Sequence, residues 1–125
     1  MTDSVERLYD GVLAARHADP SRSRTARLLR SGRAKMAKKL AEEAVEVVID
    51  AMNGSRDAVI KESADLLYNL VVLWVAAGVQ PKEVWKEMER RERLFGIAEK
   101  LKAGTDLDPR RKVVALDARR VRKRR

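Results

Sequence analysis

Two pairs of carboxylates dominate the chemistry this sequence can do. Glu43 and Glu46 lie three residues apart in "AKKLAEEAVEVVIDAM", and Glu62 and Asp65 lie three apart in "ESADLLYNLVVLWVAAG". A three-residue spacing puts both members of a pair on one face of a helix. From Ala64 to Ala77 the second stretch is almost wholly apolar apart from Asp65 and Asn69. A carboxylate charge on such a helix is costly unless a cation or a metal ion balances it.

The elements around the pairs determine whether they meet. Met36, Leu40, Ala44, Val47, Val48 and Ala51 share one arc of a helix from Arg33 to about Met52, while Lys35, Lys39, Glu42, Glu46 and, at its border, Glu43 share another. "NGS" at Asn53 to Ser55 breaks that helix, and Ser55 is placed to cap the next, which runs to Ala77 and stops at Gly78. A link this short makes the two helices antiparallel, with Gly54 at the centre of the turn. Glu46 is then level with Glu62, and Glu43 with Asp65. Four carboxylates converge about 12 Å from the turn, counting roughly eight residues at 1.5 Å each. They cannot all stay ionised at such range without cations, and magnesium, which takes hard oxygen ligands, is the natural one. The bland alternatives are a solvated face in which Lys38 and Lys39 pair with the glutamates, and a buried ion-pair network. Helical redox centres commonly use Glu-x-x-His pairs, and the single histidine, His17, lies on or beyond the first helix. Phosphate chemistry also wants cations nearby. Lys35, Lys38 and Lys39 stand one to three turns before the carboxylates, and Arg90, Arg91 and Arg93 end a later helix.

The rest of the chain predicts an all-α fold. Ser4 is placed to cap a first helix to about Arg16, "HADPSRS" reads as a loop, "RTARLLR" as a short helix ending at Ser31-Gly32, and Pro81 as the start of a helix through "KEVWKEMERRERL". On that last helix Val84, Trp85, Met88, Leu94 and Phe95 are expected to face inward. Ile60, Leu67, Leu70, Val71, Trp74 and Val75 spread around the helix that carries Glu62 and Asp65, more than one partner helix covers. The expected architecture is therefore an antiparallel helical bundle completed by oligomerisation, with Trp74 and Trp85 in its core or interface.

At 125 residues the chain is long enough for one domain, expected over residues 1–101, with a basic extension over residues 102–125. The extension carries a net charge of +7 and the body only +2, out of +9 overall. Nucleic acid is therefore not expected as the main partner, although a non-catalytic module gripping phosphates through the tail is a reading of a different class. Zero cysteines exclude a disulfide framework and a thiolate zinc site. With no spanning-length apolar run and no basic flank before an apolar segment, no membrane insertion or signal peptide is expected, which fits a cytoplasmic protein.

"ADPSRSRTARLL", "KMAKKLAEEAVEVVIDAMNGSRDAVIKESADLLYNLVVL" and "GVQPKEVWKEMERR" together resemble the phosphoribosyl-ATP pyrophosphatases of histidine biosynthesis, members of the all-α nucleoside triphosphate pyrophosphatase superfamily. The resemblance covers roughly Val5 to Arg91. It implies magnesium held by Glu43, Glu46, Glu62 and Asp65, with Glu42 adjoining the site; Glu42 and Glu46 are the candidates to orient the attacking water. It also implies Lys35, Lys38 and Lys39 near the phosphates and sites built where subunits associate as dimers or higher; Arg24 and Asn69 are added as candidates at the substrate from their own chemistry. The reaction implied is hydrolysis of the α,β-phosphoanhydride of phosphoribosyl-ATP to phosphoribosyl-AMP and pyrophosphate. The chain departs from the family pattern at Arg22-Ser23-Arg24-Thr25, where Gly-Ser-Tyr-Thr is usual, at Ala41 for glycine and at Asn69 for histidine. Arg24 replaces a ring able to stack on a base with a cation suited to phosphate, so another nucleoside triphosphate is the alternative substrate.

Overall fold

The computed structural model describes residues 3–96, and these form helices and no strand. In chain order they are α1 (Ser4–Ala15), α2 (Arg24–Arg30), α3 (Arg33–Met52), α4 (Arg56–Ala77) and α5 (Pro81–Phe95). The basic extension expected over 102–125 lies outside the described residues. The chain divides into two units, one up to Val84 and one from Trp85 onward, so the boundary falls inside α5.

In the first unit α4 is the central element, lying along α3 most extensively and against α1 next, while α2 touches α1, α3 and α4. Val71 and Val72 are fully enclosed and form the core with Val12, Met36 and Val75. Val5 and Leu8 of α1, Leu28 and Leu29 of α2, and Trp74 cover this centre from their own helices. The core therefore lies along the C-terminal half of α4, where the apolar run is densest.

Caps fix the helix limits. Sequence spacing favours Ser4 as the first cap, but Asp3 holds that place: its Oδ1 accepts the N–H of Glu6 at 2.7 Å. A carboxylate there satisfies an orphan donor and adds a favourable charge at the helix start. Ser55 occupies the predicted cap position of α4 without a side-chain bond. Its backbone works instead: Ser55 N–H donates to Asp50 O at 3.0 Å and Gly54 N–H to Ala51 O at 3.1 Å. That pair of bonds is a Schellman closure of α3, and it needs the left-handed φ of 73° that Gly54 supplies.

The apolar arc predicted on α3 is only partly covered. Met36 is buried and Leu40, Ala44 and Val47 half-buried, whereas Val48 and Ala51 are exposed. Val45, Val48, Ile49 and Met52 follow at helical spacing and stay open to solvent, with Ile60 and Leu67 of α4 open as well. Periodicity identifies an apolar face and not what covers it. In the second unit the same distinction corrects the expectation for Met88, Leu94 and Phe95, which are exposed, while Trp85 is half-buried. There Glu87 accepts two bonds from Arg90 at 2.9 Å and one from Arg91 at 3.0 Å. Among the described residues no single helix is long and apolar enough to cross a membrane.

Candidate functional site

The closed turn brings one group of acids together. Glu43 of α3 and Glu62 and Asp65 of α4 each offer a carboxylate oxygen within 4.8 Å of the others. Glu46, expected as the fourth member, is exposed and not in this group. Equal height on two antiparallel helices does not fix direction: three residues advance a helix by about 300°, so Glu46 points about 60° round from Glu43. Glu43, the half-buried one, faces α4.

Crowding is visible in the protonation of Glu62, which is pushed up to about 7. The largest cause is a hydrogen bond shared with Glu43, followed by partial loss of water and by the charges of Glu43, Asp65 and Asp50. A proton held there does what a bound cation would do, relieving repulsion among carboxylates. Asp50 completes a stripe with Glu43 and Glu46 at i, i+3 and i+7, a spacing legible in the sequence.

Beside the acids opens a cleft of about 710 Å³ between α2, α3 and α4. Glu43 and Asp65 line it, as do Arg24, Arg27, Lys35 and Lys39. Arg27 is engaged, its Nη1 donating to Pro20 O at 2.7 Å. Lys38 and Glu42, both expected near the substrate, are exposed on α3 and do not line the cleft. Lys39 and Lys35 stand four and eight residues before Glu43, so positive charge begins about 6 Å from the acids and continues to about 12 Å along α3. Arg90 and Arg91 are committed to Glu87 on their own helix.

Asn69 is the buried polar residue of α4, and its Nδ2 donates to Asp65 O at 2.8 Å. It therefore satisfies the backbone one turn before it, directly beneath a site carboxylate, and it also borders the cleft. Sequence reasoning missed Thr25 and Tyr68. Their hydroxyls meet at 2.7 Å across α2 and α4, on the cleft wall. Neither residue type in isolation signals such a pair, because the residues are 43 positions apart.

A cleft with clustered carboxylates at one end and cations along its length suits a polyanion that brings a divalent ion with it. Residues 5–92 match the profile of the family described as phosphoribosyl-ATP pyrophosphohydrolase. The phosphoribosyl-ATP pyrophosphatase 2 of Rhodopseudomonas palustris is 63% identical, with all of both chains covered. Its counterpart in Bradyrhizobium diazoefficiens is 61% identical over 99% of each chain. The phosphoribosyl-ATP pyrophosphatase of Gluconobacter oxydans is 56% identical over 77% of this chain and 72% of its own.

Proposed function

The chain belongs to the phosphoribosyl-ATP pyrophosphohydrolase family, and from that premise we propose that it hydrolyses the α,β-phosphoanhydride of phosphoribosyl-ATP with magnesium, as a cytoplasmic homo-oligomer. The observation that carries the reading is the meeting of Glu43, Glu62 and Asp65 at the end of a cation-lined cleft.

The donor set fits magnesium. It consists of hard carboxylate oxygens, and its own repulsion is so poorly compensated that Glu62 titrates at about 7. Glu43, Glu62 and Asp65 would hold the ion, with Glu46, three residues further along α3, as the proposed fourth ligand. When bound, the ion supplies positive charge to phosphate oxygens and makes water more acidic. The chain does the rest. Lys39 and Lys35 bind phosphate oxygens along α3 and set the polyphosphate in line with the acids. Glu42 or Glu46 takes the proton of the attacking water as its oxygen bonds to phosphorus and the bridging P–O bond breaks, releasing pyrophosphate and phosphoribosyl-AMP. Asn69 keeps the Asp65 turn of α4 in register.

Oligomerisation is supported by the open apolar stripe Val45, Val48, Ile49 and Met52 with Ile60 and Leu67. Val48→Glu is expected to shift the protein to monomer in sedimentation analysis; an unchanged mass would place the interface elsewhere.

The test of function is pyrophosphate release from phosphoribosyl-ATP and from ordinary nucleoside triphosphates, with magnesium or a chelator. Turnover of phosphoribosyl-ATP that disappears with the chelator is expected. Turnover of another triphosphate alone would keep the site and change the substrate, and no release from any of them would reject the enzyme reading.

A further inference from the structure

None of the four cations lining the cleft makes an ion pair among the described residues, and while Arg27 is tied to Pro20 O, Arg24, Lys35 and Lys39 are left to meet a ligand. The lysines lie on α3, in line with Glu43, where a polyphosphate held at the acids would run. Arg24 stands apart from that line. It is the first residue of α2, next to Thr25, whose hydroxyl bonds Tyr68 at 2.7 Å. Tyr68 is three residues beyond Asp65, so this bond ties α2 to α4 about 4.5 Å along the axis from the acids, on the side away from the turn. Elsewhere α2 is held by packing and by the bond from Arg27 to Pro20 O at 2.7 Å. It is seven residues long, with Ala26 its one buried residue and Leu28 and Leu29 half-buried on the core.

The geometry points to Arg24 as a specificity-determining residue that takes a second phosphate, one carried by the substrate outside its triphosphate. On this view the Thr25–Tyr68 bond is the positioning contact that holds Arg24 at the cleft. The inference rests on the proposed substrate, which bears a phosphomonoester on its added ribose as well as the triphosphate at the other end. A guanidinium suits a phosphomonoester because its planar fork can give two parallel hydrogen bonds to it. The cleft has room for both ends, its 710 Å³ lying in the upper part of the roughly 300–1,000 Å³ that ligand sites span. ATP lacks that phosphomonoester, so an Arg24 that holds it would separate the two nucleotides.

The experiment compares kcat/KM for phosphoribosyl-ATP and ATP in the wild-type chain, Arg24→Ala, Arg24→Lys, Tyr68→Phe and the Arg24→Ala/Tyr68→Phe double variant. Arg24→Ala is expected to cost phosphoribosyl-ATP about tenfold to hundredfold more than ATP, carried by KM, with Arg24→Lys recovering part of it. Tyr68→Phe removes only a hydroxyl. It is expected to raise KM for phosphoribosyl-ATP severalfold without lowering kcat, and to add nothing in the Arg24→Ala background. Equal losses on both nucleotides in Arg24→Ala would assign Arg24 to the triphosphate and overturn the proposal while leaving the hydrolase reading intact. Additive losses in the double variant would overturn the positioning role of Tyr68. A wild-type chain that releases pyrophosphate from ATP but not from phosphoribosyl-ATP would overturn the substrate and this proposal with it.

Discussion

Glu62 on α4 and Glu87 on α5 are both half-exposed helical glutamates, and their surroundings push them in opposite directions. Around Glu62 stand Glu43, Asp65 and Asp50, and its carboxyl rises to about 7. Around Glu87 stand Arg90 and Arg91, whose hydrogen bonds and charges lower it to about 2. The pairing at Glu87 is complete within its own turn of helix and leaves nothing to bind. The cluster at Glu62 is electrically incomplete, and incompleteness of this kind is what a ligand can exploit.

The strongest way to break the contrast is to remove the acids themselves. Glu43→Gln and Asp65→Asn are each expected to lower kcat/KM at least a hundredfold, because even groups that only support a metal ligand are worth ten- to a hundredfold. Thermal unfolding without metal should show both variants folded and no less stable than the wild type, since each loses a repelling charge. A loss of fold instead would make the cluster structural.

Acidity sharpens the comparison further. Because the folded chain raises Glu62 above the ordinary carboxylate value of 4.5, its contribution to metal-free stability is fully present below about 4.5 and is lost as pH rises through about 7. Magnesium competes with that proton, so its affinity, read by calorimetry, should fall as pH drops below about 7 and should release protons on binding. Glu87 carries the opposite sign: its contribution is present above 4.5 and is lost as pH falls through about 2. The smallest expected effect is that of Glu87→Gln, a minor drop in melting temperature at neutral pH that vanishes in high salt, with kcat/KM unchanged. A large loss of activity would show that α5 takes part in the site.

Helix content was legible in the residues because it depends on local signals. The 20-residue span of α3, the glycine stop at Gly78 and Pro81 at the head of α5 follow from periodicity and turn chemistry. The three acids that meet were legible too, since a three-residue spacing on two helices joined by a short link leaves few arrangements. The place of Glu46 was not, because level and direction are separate quantities and the sequence supplies mainly the first. The Thr25–Tyr68 bond was not, because it depends on where α2 settles against α4. Coverage of Val48, Met88 and Phe95 was not, because an apolar stripe does not name its partner.

The link at residues 53–55 closes α3 with three backbone bonds, one from each of its residues, and neither Asn53 nor Ser55 contributes a side-chain bond there. It is a spacer defined by its length rather than by its lettering. Substitutions at Asn53 and Ser55 should drift freely through descent so long as Gly54 stays, whereas one inserted or deleted residue would shift α4 against α3 and part Glu43 from Glu62 and Asp65 with every acid still present. Among related chains, this is where the count of residues should be inherited more strictly than their identities.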